Sequence, residues 1–264
     1  MALDAHRHFW HYTDAEFGWI ADDCLRRDFL PTDCGGMDPC IAVEARQCVE
    51  ETSGLLELAD KHDFIKGVVG WLPLAAPDFP ELLEGFLAEK LVGLRHVVQD
   101  EPDDGFILRP DFVRGVRHAL AQGLAYDILV FERQLPNVLK FVDALPDDAR
   151  LVLDHLGKPA AFDSWRVRVT ELARRANVFC KLSGLVTEIG VAADPRPYLD
   201  VALEAFGPAR LMFGSDWPVV TAHLPYGDWK RCVEDFLVPL AGADQTKIMS
   251  ANAAAFYGVK GETR

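Results

Sequence analysis

Eight apolar runs of strand length recur along this chain, and most are followed by a segment of helical period. They are Leu3 to Phe9, Cys40 to Ala45, Ile65 to Leu72, Val92 to Val98, Ala125 to Phe131, Leu151 to Leu156, Val178 to Leu182, and Arg210 to Phe213. Apolar runs of this kind mark strands buried on both faces, as in parallel sheets covered by crossover helices. Their C-terminal ends recur every roughly 25 to 36 residues, the length of one strand–helix unit in an eightfold barrel. Pro80 and Pro110 each precede a periodic apolar stripe and suit a first helical position. Near the C-terminus, Asp244 can cap a segment that places Ile248, Met249, Ala253 and Phe256 on one helical face. The fold expected is α/β, a (β/α)8 barrel of the TIM type forming a single domain over residues 1–264. An open doubly wound sheet competes, but the glycine-rich turn of its nucleotide-binding forms is missing after the first run. Residues 11–39 lack periodicity, and a long loop in a compact domain commonly serves an active site.

The 264 residues carry 27 Lys and Arg against 41 Asp and Glu, a net charge of −14, and half of them are hydrophobic. Such a chain has ample core. Its basic residues are scattered among acids, so nucleic acid is not an expected partner. No apolar run approaches the ~20 residues that span a bilayer, and the N-terminus reads as a strand instead of a signal peptide. No membrane association is expected. The six cysteines form no Cys-x-x-Cys pair, and their spacing lacks the paired pattern of structural zinc sites. Reduced thiols and a cytoplasmic location are expected. The expected partner is a small-molecule substrate, and the sequence leaves a homo-oligomer open.

In a barrel of this kind the active site lies at the C-terminal strand ends. His6 and His8 stand at i and i+2 of the first strand and share a face. Imidazole is both a frequent metal ligand and a general acid or base. Strand four ends with Arg95, His96 and Gln99, strand five contains Tyr126 and Asp127, and strand six runs into Asp154-His155-Leu156-Gly157-Lys158-Pro159. Strand seven supplies Lys181 and Ser183, and the last strand leads into Gly214-Ser215-Asp216-Trp217-Pro218. Asp216 follows apolar Leu211-Met212-Phe213, so its carboxylate is partly desolvated unless cations, water or a metal pair with it. Closure sets strand eight beside strand one, which lets Asp216 face His6 and His8. Asp216 as a helix cap or partner of Lys181, and His155 as a core imidazole, stay open as alternatives. Adjacent Arg95 and His96 cannot both point inward in a regular strand. Ser183 lacks a Gly-x-Ser-x-Gly elbow and no cysteine sits in a nucleophile motif, so covalent catalysis is not expected. Three histidines and an aspartate suit activation of water instead, by a general base or a divalent metal.

The segments Asp4 to Trp10, Asp154 to Pro159 and Phe213 to Pro218 together resemble the amidohydrolase superfamily, and more narrowly its sugar-lactonase group of L-fuconolactonase- and L-rhamnonolactonase-like proteins. The resemblance extends to Arg95 to Glu101, Val130 to Pro136, Cys180 to Glu188 and Asn252-Ala253-Ala254. It implies a barrel that opens a small sugar lactone, L-fuconolactone-like, to its hydroxy acid by direct attack of water. Asp216 would be the base, with His155 beside it and His6 and His8 completing the catalytic set. Binuclear members bridge two metals with a strand-four lysine or glutamate and use a strand-five histidine, whereas Arg95, His96, Tyr126 and Asp127 stand here. The cofactor expectation is therefore none, or a single divalent metal, zinc among the candidates, held by His6, His8 and Asp216. Arg95, His96, Gln99, Tyr126 and Lys181 are the candidates for holding the substrate's polar groups, and Trp71 or Trp217 for packing on its apolar face. Two other readings are a hydrolase or decarboxylase of an aromatic-derived dicarboxylate or lactone on the same barrel, and a noncatalytic binding barrel.

Overall fold

The structure is a computed structural model that describes residues 1–260. Among these, eight parallel strands follow one another in sequence order: β1 Asp4–Arg7, β2 Cys40–Val43, β3 Ile65–Gly70, β4 Leu91–Val97, β5 Ala125–Leu129, β6 Leu151–Leu153, β7 Val178–Leu182 and β8 Leu211–Phe213. Each expected run overlaps a strand, with β4 starting one residue before its run. Backbone bonds close the ring, Asp216 N–H donating to the His6 carbonyl at 2.9 Å and His8 N–H to that of Trp217 at 2.7 Å. Helices α1 (Val49–Lys61), α2 (Phe79–Glu84), α3 (Pro110–Ala121), α4 (Leu135–Asp143) and α5 (Phe162–Ala173) follow β2 to β6 in turn. Both α6 (Leu185–Ile189) and α7 (Arg196–Phe206) follow β7, α8 (Tyr226–Leu237) follows β8, and α9 (Gly242–Thr246) and α10 (Asn252–Tyr257) end the described chain. The connection from β1 to β2 is a loop with only two short 3-10 turns, Asp23–Leu25 and Pro31–Cys34.

Pro110 opens α3, whereas Pro80 sits one residue inside α2, which starts at Phe79. Asp244 does not cap the C-terminal segment. Ala241 holds that position, and Asp244 accepts a bond from Lys247 instead.

The seam between β1 and β8 depends on an irregularity. Asp4 pairs with Cys40 and Arg7 with Ala42, so β1 carries one extra residue, a bulge. Asp4 and Arg7 consequently share the helix-facing side, where the guanidinium bonds Asp4 at 2.9 Å and lies over the Tyr226 ring. Ala5 and His6 turn to the interior. Asp4 also accepts bonds from the backbone N–H of Ser215 at 2.8 Å and from its hydroxyl at 2.6 Å, tying β1 to the segment that carries Asp216.

Inside the barrel Ala5, Ile41, Val43, Val69, Ala125, Val152 and Met212 form an apolar layer, against which Phe256 and Tyr257 of α10 close the floor. The alternate strand residues pack outward against helices. Tyr126 is one of these, its ring 6.0 Å from Phe112 and 5.8 Å from Phe141.

Two stability predictions follow from these contacts. Asp4→Ala strands the Arg7 charge in the interior, and urea unfolding is expected to show a loss of about 3–5 kcal/mol. A loss near zero would contradict the role given to the seam. Glycine to alanine inside a helix ordinarily stabilises by about 1 kcal/mol, but a Cβ on Gly115 of α3 would lie 1.9 Å from the Leu74 carbonyl oxygen. Gly115→Ala is therefore expected to destabilise by about 1–3 kcal/mol, read as a lowered melting temperature.

Candidate active site

Strand alternation carries the interior from apolar to charged as it rises toward the C-terminal ends. Ala125 is followed on the same face by Asp127, Val152 by Asp154 and Phe179 by Lys181. All three charged residues are fully buried. The Lys181 ammonium donates to Asp127, lies 2.9 Å from Asp154 Oδ1, and stands 3.1 Å from His6 Nδ1. From the floor, the Tyr257 hydroxyl donates to Asp127 at 2.9 Å. Arg95 bonds Glu44 at the end of β2 at 2.7 Å and Asp154 at 3.2 Å, with Nη1 3.3 Å from His6 Nε2. Burial and then the Lys181 charge hold His6 well below the ordinary histidine range. For Asp154 burial acts upward, but Lys181 and His6 outweigh it and hold the carboxyl well below its usual range.

Above this layer stand His8, His155 and Asp216, also buried. His8 Nδ1 meets the Val43 carbonyl at 2.8 Å, which fixes the ring and turns Nε2 toward His6 and Asp216. His155 Nδ1 meets the Ser183 hydroxyl at 2.9 Å. By alternation His155 should point away from the face that Asp154 uses. A left-handed backbone at His155 (φ 52°) and Leu156 (φ 54°) turns it back inside. Asp216 is also left-handed (φ 60°), a region aspartate tolerates better than most residues. Its Oδ1 lies 3.4 Å from His8 Nε2, 3.8 Å from His6 Nε2 and 3.9 Å from His155 Nε2. Burial acts to raise Asp216, but His155, His8 and His6 together pull it below the usual carboxylate range. Burial pushes His155 down to about 4, against the pull of Asp216. The site thus combines an ionised carboxylate with a neutral imidazole at neutral pH.

His6, His8 and Asp216 suit a single divalent cation. In a tetrahedral zinc site with bonds of ~2.0–2.1 Å the donors stand about 3.4 Å apart. Here His6 Nε2 and His8 Nε2 are 3.1 Å apart, and each lies within 3.8 Å of Asp216 Oδ1. Charge points the same way, because four buried carboxylates, Glu44, Asp127, Asp154 and Asp216, face two buried cations, Arg95 and Lys181. The other group within ligand reach among the described residues is His6, Asp154 and His155, where the Lys181 ammonium already lies against Asp154 and His6.

A cavity of about 640 Å³ opens over the site, and His8, Arg95, Gln99, His155 and Asp216 line it. The other expected substrate residues do not. Tyr126 faces the helices, as alternation from inward Ala125 requires. His96 stacks on Phe106 at 4.9 Å and binds Glu101 at 2.7 Å, so Arg95 is the inward member of that pair. Trp71 donates to His96 Nδ1 at 3.1 Å, outside the cavity. Trp217 is held between Phe9 and Phe29, with ring centroids 5.9 and 5.4 Å away. Lys181 lies beneath His6, out of reach of the cavity wall. The aromatic residue at the wall is Trp19, from the 11–39 loop, which no motif had marked. Glu44 and Tyr257 were missed as well, since neither belongs to a segment with a site-like pattern. Asp154 had a usable signal, its alternation with Val152.

Comparison with known proteins places these segments in a family. The profile of the amidohydrolase family matches residues 3–259. An L-fucono-1,5-lactonase of Burkholderia multivorans is 41% identical over 98% of this chain and 96% of its own length. One from Burkholderia ambifaria is 35% identical over 97% and 95%. The crystal structure of a Burkholderia multivorans amidohydrolase with bound zinc superimposes with a TM-score of 0.93 at 41% identity, covering 98% of this chain and all of that one. This chain is a member of the amidohydrolase family.

Proposed function

We propose that the protein hydrolyses a neutral sugar lactone to its hydroxy acid. The observation that carries this reading is the pairing of every arginine and lysine at the cavity wall among the described residues. Arg46 is held by Glu16 and Glu51, Arg95 by Glu44 and Asp154, and Lys158 by Glu188. A dicarboxylate substrate would require unpaired guanidinium or ammonium groups to replace its hydration. A neutral ring does not. The two relatives named L-fucono-1,5-lactonase support the same substrate class.

In the proposed reaction water adds to the lactone carbonyl carbon while Asp216 takes its proton. The tetrahedral oxyanion then collapses, the bond from carbonyl carbon to ring oxygen breaks, and that oxygen takes the proton held by Asp216 and leaves as the alcohol of the hydroxy acid, which returns Asp216 to its carboxylate. Neutral His155, steadied by Ser183, directs its Nε2 edge to the reacting groups. Arg95 turns positive potential toward developing charge without moving, because Glu44 and Asp154 pin its guanidinium. A divalent ion held by His6, His8 and Asp216 would supply Lewis-acid polarisation and a more acidic water when bound.

A pH-indicator assay over a panel of lactones tests the reading. Wild type is expected to open sugar 1,5-lactones, and Asp216→Asn, which suits the left-handed backbone, is expected to lower kcat by about 10²–10⁴-fold. Inactivity on all lactones, or turnover of an aromatic-derived dicarboxylate in their place, would overturn it. The metal assignment has its own measurement. After zinc loading and removal of free metal, elemental analysis is expected to give one ion per wild-type chain and less than about a tenth of that for His8→Ala. Full lactonase activity at zero metal content would remove the ion from the scheme.

A further inference from the structure

Of the large apolar side chains left exposed among the described residues, only Trp19, at 47%, lines the cavity, and it is the one Phe, Tyr or Trp in that wall. Its neighbours hold it there. The Ile20 N–H donates to the Phe17 carbonyl at 3.0 Å, closing a turn whose two ends are buried and whose middle carries Trp19. Phe17 has the Arg46 guanidinium over its ring at 5.4 Å and stands 5.6 Å from the ring of Trp10. Trp10 is itself anchored, its backbone paired with Phe29 and its indole N–H donating to the Arg27 carbonyl at 2.8 Å. The same Trp10 ring lies 6.4 Å from that of His8 and 5.8 Å, edge to face, from that of Trp19. A buried ring therefore ties the exposed indole to a histidine of the site, so Trp19 belongs to the mouth of the site and not to a loose loop tip.

We infer that Trp19 sets specificity by packing its indole against a C–H face of the substrate ring, a role that rests on the lactonase reading above. A hydroxylated six-membered lactone carries most of its oxygens around the rim and turns C–H bonds, made electropositive by the adjacent oxygens, out of its faces. The face of an aromatic ring is negative and apolar, so it attracts such a surface and gains by its removal from water. A hydroxyl that projects from the covered face would be stripped of water without a full hydrogen bond in return, which costs free energy. The indole thus discriminates between epimers by what stands on one face of the ring. Because Trp19 is open to solvent in the free cavity, a ring that enters can reach it.

The test measures kcat and KM on a panel of hexono-1,5-lactones that differ at single ring carbons, with wild type, Trp19→Phe and Trp19→Ala. Wild type is expected to prefer some epimers over others. Trp19→Ala is expected to raise KM for the preferred epimer about 10-fold with kcat changed by less than about 3-fold, and so to shrink the preference, while Trp19→Phe, which keeps an aromatic face, retains most of it. A merely structural role for the indole would lower kcat/KM of all epimers in proportion and leave their ratio where it was. An unchanged ratio, a Trp19→Phe as impaired as Trp19→Ala, or a wild type that opens all epimers equally overturns the assignment while the lactonase reading stands. A wild type that opens none of the panel overturns both.

Discussion

The seam where β8 meets β1 is the constraint on which the rest of this molecule depends. His6 and Asp216 stand at opposite ends of the chain, and only ring closure brings them within 3.8 Å. The seam is secured away from the site by Asp4, which holds Arg7 on its own strand and the backbone and hydroxyl of Ser215 on the other side. Ser215 is the residue before Asp216, so the carboxylate is placed by a contact with the first strand. The extra residue in β1 makes this compatible with chemistry. It lets a four-residue strand send Asp4 and Arg7 toward the helices while His6 still faces the interior. Fold stability and site geometry therefore share the same few bonds.

Beneath the site, the buried ionic layer does what an apolar layer could not. Charges removed from water are tolerated only when geometry satisfies them, and one-sided removal of a partner is strongly destabilising. Lys181 meets Asp127, Asp154 and His6, and Tyr257 closes Asp127 from the floor. The result is a rigid platform that presents His6 from below. The Lys181 ammonium also stands against Asp154 and His6, which with His155 form the other group within ligand reach among the described residues.

Much of the architecture was legible because burial on both faces leaves an unmistakable apolar run, and every run overlaps a strand. The convergence of His6, His8, His155 and Asp216 was legible through closure topology. What sequence periodicity could not reach are departures from regular backbone. The bulge in β1 and the left-handed turn at His155 each change which way a side chain points, and neither has a local signature in residue type. The misplaced aromatics have a different cause. Tyr126 follows inward Ala125 and so faces the helices, Trp217 packs between Phe9 and Phe29, and Trp71 donates to His96, so an aromatic ring type alone does not say which ring reaches the cavity. Trp19 sits in a loop without period, where no rule of spacing applies.

Charge at the cavity also bears on the direction of traffic for the proposed reaction. A lactone enters uncharged and its hydroxy acid leaves as an anion near neutral pH, since a carboxyl group has an ordinary pKa of about 4. The cavity wall carries Glu16, Asp22, Asp100 and Asp216, its cations are already committed to carboxylates, and the whole chain has a net charge of −14. Such a field leaves a neutral ring untouched and disfavours the newly formed carboxylate. In the proposed reaction the same ion pairs that remove free cations from the wall would favour the neutral substrate and weaken the hold on its product. Binding free energy for such a ring is left to its hydroxyl groups and its C–H face.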